Sequence, residues 1–111
     1  MLIICCDVGE DAKLGFIYGG LVSMQELVGG YIEAIPLTER LSLVCNEEGK
    51  IQGLKPNRIL IIDGKEIDVI CGNFFIVGNG KEDFRGLMSE DVEVVHEMMV
   101  GKHSKIFLKK M

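Results

Sequence analysis

Asp63-Gly64 stands between two apolar runs, Ile59–Ile62 and Ile67–Ile70, and no other local feature constrains this chain as tightly. A two-residue turn of this composition uses positive φ at both positions, which glycine takes freely and aspartate tolerates. The chain reverses there, so the flanking runs are predicted to pair as an antiparallel hairpin. Their isoleucine and valine side chains add the β-branched character that suits a pleated, half-buried surface.

The same punctuation organises the rest of the chain. Leu2–Cys6 is a short apolar run with the character of a strand buried on both faces. Lys13–Tyr18 is a second short strand, followed by a break at Gly19-Gly20. Leu21, Met24, Leu27 and Val28 recur at helical spacing, and Gly29-Gly30 ends that helix. In Tyr31–Leu37, alternation puts Tyr31, Glu33 and Ile35 on one face of a strand, with Ile32 and Ala34 on the other. Pro36 has no N–H to donate, which places that strand at a sheet edge or ends it there.

Leu41–Cys45 is the next strand. Asn46-Glu47-Glu48-Gly49 is expected to make a hairpin turn with Gly49 left-handed, returning along Lys50–Leu54. Cys71-Gly72-Asn73 suggests a bulge before Phe74–Val77 continues the strand, and Gly78–Gly86 is a polar loop. Ser89 is the expected cap of a second helix, with Glu90 and Asp91 at its positive end. Val92, Val95, Met98 and Met99 form the buried stripe of that helix, and Gly101 ends it. Ile106–Leu108 is either a last strand or a frayed end. The expected fold is a single α+β domain over residues 1–111, a mainly antiparallel sheet covered by two helices.

Charge narrows the partners. The formal net charge is −5, yet the segment from Lys102 onward carries only basic charges and leaves the body acidic. An acidic body opposes the phosphate backbone of nucleic acid, so direct nucleic-acid binding is not expected. It suits solubility and a basic surface on a protein partner. No apolar run approaches the roughly 18 residues of a membrane span, and no signal peptide is evident, which indicates a cytoplasmic protein with no membrane partner. An apolar fraction of 48% leaves enough spare apolar surface for a homodimer. Cys5, Cys6, Cys45 and Cys71 lack the paired spacing of a zinc or redox site and are expected to be buried, reduced thiols, with no cofactor implied.

Several separated motifs then occur in a fixed order: LVSMQELVGGYIEAIPL, CNEEGK, KPNR, DVICGNFFIVG and LMSEDVEVV. Together they resemble a domain-of-unknown-function family, numbered 3846, over about Leu21 to Val95. Proteins of that family are common in phages, plasmids and other mobile elements of Gram-positive and gut bacteria. The resemblance implies a biological setting and brings no catalytic residues with it.

Five residues are the binding candidates. Asn46, Glu47 and Glu48 put an amide and two carboxylates at a turn, where exposed loops carry function and where Asn and Gly also serve the backbone. Asn57 and Arg58 follow a proline. Arg58 could grip a phosphate or carboxylate bidentately, or could close the sheet by pairing with Glu33 or Glu47. His96, between Glu93 and Glu97, has no nucleophile placed near it by sequence. Glu82, Asp83, Glu90, Asp91, Glu93 and Glu97 form an acid cluster, expected as a solvated helix face or as a mimic of DNA phosphates. The glycine pairs lack any phosphate-loop pattern.

These features lead to two functional expectations. One is a non-enzymatic accessory protein of a phage or mobile element that antagonises a host defence nuclease, of CRISPR or restriction type, by protein binding. The other is a small-molecule binder that sequesters a nucleotide immune signal, with Arg58, Asn57, Asn73 and Tyr31 lining the pocket.

Overall fold

The computed structural model describes residues 1–111. Nine strands and two helices follow in the order β1 (Leu2–Cys6), β2 (Lys13–Phe16), α1 (Leu21–Val28), β3 (Ile32–Pro36), β4 (Leu41–Asn46), β5 (Pro56–Ile62), β6 (Lys65–Cys71), β7 (Phe74–Asn79), β8 (Phe84–Arg85), α2 (Ser89–Val100) and β9 (Ile106–Lys110). All strand pairings are antiparallel, and the fold is α+β. Neither helix is long and apolar enough to cross a membrane.

The expected single sheet is two sheets. A six-stranded sheet runs β2-β1-β7-β4-β3 with β8 beside β7, and a three-stranded sheet runs β6-β5-β9. The Asp63-Gly64 hairpin forms as expected, with φ of 50° and 78° at the turn and Ile62 opposite Lys65. β3 is an edge strand carrying Pro36, also as expected.

Period-two alternation sorts the core. From the larger sheet, Ile4, Cys6, Leu41, Leu43, Phe74 and Ile76 face one way. They pack against Leu60, Ile70, Ile106 and Leu108 of the smaller sheet and against Val95 and Met98 of α2. On the opposite face, Ile3, Val44, Phe75 and Val77 pack against Met24 and Val28 of α1. α1 thus lies on one face of the larger sheet, while the smaller sheet lies on the other and α2 packs chiefly beside β9. Phe74 and Phe75 are fully buried on opposite faces; truncating either would cost about 3–5 kcal/mol.

Four local expectations are corrected. Lys50–Leu54 is a series of turns, not a returning strand: Gln52 N–H bonds the Glu48 carbonyl at 2.8 Å and Leu54 N–H bonds that of Gly49 at 2.9 Å. The left-handed residue there is Gly53, with φ of 72°. Gly49 is required by space instead, since a Cβ would sit 2.8 Å from the Cys71 carbonyl oxygen. Cys71-Gly72-Asn73 is not a bulge within one strand; it carries the chain from β6 in one sheet to β7 in the other.

The fourth correction concerns α2, which starts at Ser89 without a cap from that side chain. Asp91 accepts the Met88 backbone N–H at 2.9 Å, which is the acidic half of a capping box. At the C-terminus, Gly101 takes the expected left-handed conformation.

Candidate functional site

The Asn57–Arg58 pair owes its geometry to an irregularity in β5. Pro56 pairs with Cys71 and Arg58 with Ile70, so Asn57 is an extra residue without a partner in β6. In a regular strand, neighbours point to opposite faces. Here both are buried, Asn57 at 1% exposure and Arg58 at 3%. The Asn57 amide donates to the carbonyls of Cys6 and Gly72 at 2.8 and 2.9 Å. Its oxygen accepts from Arg58 Nη1 at 2.6 Å.

Arg58 does not pair with Glu33 or Glu47, as one expectation had it. Its other acceptors are the carbonyls of Asn57, at 3.4 Å, and Glu10, at 2.7 Å. No carboxylate forms an ion pair with it. The hydrogen-bond partners of Arg58 are thus all neutral, and its Nε–H and second Nη2 hydrogen have no protein acceptor; as no buried side-chain nitrogen is left without a partner, Nε reaches solvent at the cavity wall. Asp11 compensates the charge without forming an ion pair, since Arg58 is among the groups that hold its carboxyl low.

Across the smaller sheet, Arg58 is directly opposite Lys110 of β9. Directly opposed residues share a face, so two cations stand side by side, an unfavourable cross-strand pair. Lys110 is partly relieved by Asp11, whose carboxylate accepts from Nζ at 3.0 Å. That bond and charge hold the Asp11 carboxyl below its usual value. Both cations line a half-open cavity of about 510 Å³ between β2, α2 and the smaller sheet. Its walls are aliphatic, from Leu14, Val92, Val95, Met99 and Val100, and its polar rim adds Asp11, Lys13 and His96.

Asn46, Glu47 and Glu48 lie elsewhere. Asn46 is buried: its Nδ2 donates to the Val28 carbonyl and to Gln52 Oε1, each at 3.2 Å, and its Oδ1 accepts the Glu48 N–H at 2.8 Å. It fastens the end of α1 to the turn. Glu47 is exposed, while Glu48 is half-buried in a shallow polar depression with Gln25, Tyr31 and Gln52. The cavities lined by Glu48 share no residue with the one lined by Arg58. The structure therefore does not bring the two candidate groups together. Tyr31 and Asn73, expected near Arg58, do not line its cavity either; Asn73 accepts the Val8 N–H at 2.9 Å.

The acid cluster divides. Glu82, Asp83, Glu90, Glu93 and Glu97 are exposed, whereas the Asp91 side chain is only 2% exposed. It bonds Arg40 Nε and Arg85 Nη1, each at 2.9 Å. Burial alone would raise the Asp91 pKa, but these bonds and that from Met88 N–H outweigh it and hold the carboxyl at about 2. No group of three His, Cys, Asp or Glu side chains is placed to hold a metal ion. All four cysteines are free, and burial pushes the thiols of Cys6 and Cys45 up to about 12.

An exposed apolar edge is not evident from the sequence. β2 borders the larger sheet, and Leu14 and Phe16 pair with Ile4 and Leu2 of β1, so they share one face. Yet Leu14 is 59% exposed, Phe16 79% and Tyr18, just beyond the strand, 88%. A strand is expected over Lys13–Tyr18 and forms over Lys13–Phe16; nothing in that run marks which sheet position it takes. The remaining edges carry charge or proline: Pro36 and Glu33 on β3, Lys65 and Glu66 on β6, Lys109 and Lys110 on β9. Those are the usual protections against unwanted strand pairing, and β2 carries only Lys13.

The family model described as Domain of unknown function (DUF3846) matches residues 1–100, and the chain belongs to that family. No curated protein and no solved structure matches it.

Proposed function

We propose that this member of the DUF3846 family is a non-enzymatic binding protein that grips a protein partner along the exposed edge of β2. The observation that carries this is the row Leu14, Phe16 and Tyr18 beside an unpaired strand edge. An extended segment can add to such an edge through backbone hydrogen bonds, while its alternate side chains meet the apolar row. Aromatic anchors of this kind carry much of the energy in protein interfaces.

The partner is proposed to be a host defence nuclease, of CRISPR or restriction type, met in the cytoplasm of a bacterial host. Two things support that target: the likeness of the motifs to proteins of mobile elements, and the acidic body, which complements the basic groove of a nucleic-acid enzyme. Purified protein should inhibit its target nuclease stoichiometrically, and Phe16→Asp should abolish inhibition while leaving the fold intact. A panel of host nucleases unaffected by the unaltered protein, together with no host protein retained by it, would rule the proposal out.

The alternative, sequestration of a small anionic signal, is supported by one feature, the cavity lined by Arg58. Its chemistry favours a ligand other than a nucleotide.

A further inference from the structure

We propose that the cavity between β2, α2 and the smaller sheet binds a small monoanion with an apolar body, such as an aliphatic carboxylate, its charged group between Arg58 and Lys110. This does not depend on a protein partner at β2.

The charges argue for the anion. Arg58 is 97% removed from solvent by its 3% exposure, has no ion-pair partner, and keeps two N–H donors without protein acceptors. Lys110 opposes it on the same face of the sheet. Two adjacent cations on a cavity wall repel each other, and a carboxylate between them converts the repulsion into two charge-assisted hydrogen bonds. Asp11 already meets that demand in part, since it bonds Lys110 from the rim. It is 95% exposed, so it can swing away without unfolding anything.

The walls argue for the body. Leu14, Val92, Val95, Met99 and Val100 are aliphatic, and no Phe, Tyr or Trp lines the cavity to stack a base; the one ring there is the His96 imidazole on the polar rim. A volume of about 510 Å³ suits a small organic molecule. Asp11 at the mouth would repel a ligand of several charges, whereas a single carboxylate can displace it from Lys110. An apolar chain carrying one carboxylate satisfies both walls and charges.

The test uses the full-length protein, labelled with nitrogen-15 and titrated with octanoate, 1-octanol and inorganic phosphate, with affinities measured by calorimetry. Octanoate should bind saturably at one site and shift the amides of Leu14, Val95, Met99 and Lys110. It should bind at least about tenfold more tightly than either octanol or phosphate, the worth of one charge-assisted contact or one buried chain. Lys110→Met should weaken octanoate about tenfold and leave octanol unchanged. Lys110 is chosen because its side chain is 43% exposed, whereas Arg58 holds the bulge together. Absence of saturation, equal affinity for octanoate and octanol, or an octanoate affinity unaltered by Lys110→Met would each overturn the assignment.

Discussion

The side-chain amide of Asn57 donates to the backbone carbonyl of Cys6 across 2.8 Å, and this bond ties the smaller sheet to the larger one. A second bond from the same nitrogen reaches Gly72, at the crossing between the sheets. With its oxygen accepting from Arg58, Asn57 has both amide hydrogens and one oxygen lone pair engaged by the protein. It is thereby removed from ligand contact and given a structural part.

Asn57→Ala is expected to cost about 3 kcal/mol, because two buried carbonyls and one guanidinium N–H lose their partner together. Denaturant unfolding would measure it. A loss under about 1 kcal/mol would mean that water substitutes for the amide.

Acid should weaken the fold through Asp91. Its folded pKa of about 2 lies below the ordinary carboxylate value, so its stabilisation is fully present above about pH 4 and disappears as pH falls toward 2. The integrated effect is about 2 kcal/mol. Asp91→Asn should remove that part of the acid dependence and destabilise at neutral pH by about 3 kcal/mol, since Arg40 and Arg85 would lose their shared carboxylate. Unfolding free energies measured from neutral to acid pH on both proteins check this.

The thiols of Cys6 and Cys45 should resist alkylation at pH 8 in the folded protein and react promptly once it is unfolded. Both are buried, and their raised pKa leaves almost no thiolate. Mass spectrometry after brief iodoacetamide treatment would show it, and rapid native labelling at either position would contradict the burial.

Two glycines in one turn should respond differently to alanine. Gly49→Ala drives a Cβ to 2.8 Å from the Cys71 carbonyl oxygen, which is backbone and cannot step aside cheaply. Gly53→Ala meets open space and strains only its positive φ. We expect losses of about 2–3 and about 1 kcal/mol respectively, read as shifts in melting temperature. The reverse order would show the turn to be movable.

What was legible in the sequence was local. The turn at Asp63-Gly64, the two helices and the edge position of Pro36 all follow from residue types within a few positions of one another. What was not legible depended on which strands meet. Nothing near Lys50–Leu54 says that the chain must leave one sheet for another there. Lys110 meets Arg58 only because β9 returns to β5, and so the opposed cations could not be read from either segment alone. Arg58 was singled out for its chemistry, but the expected salt bridge assumed a neighbour that the register does not supply. Asp91 was counted as one of six solvated acids, when Arg40 from a distant loop draws it inward.

The position of β7 bears on the order in which the molecule is built. It lies between β1 and β4, with Ile76 opposite both Ile4 and Leu43. Until β7 arrives, the β1–β2 and β3–β4 hairpins have no strand to join them, so the larger sheet begins as two separate pieces. Closing so long a loop is entropically expensive and is repaid only after the contact forms. Insertion of β7 should then be the slow step of refolding. Trimming Ile76 to valine should slow folding, whereas trimming Ile106 should chiefly hasten unfolding, and stopped-flow kinetics would tell the two apart.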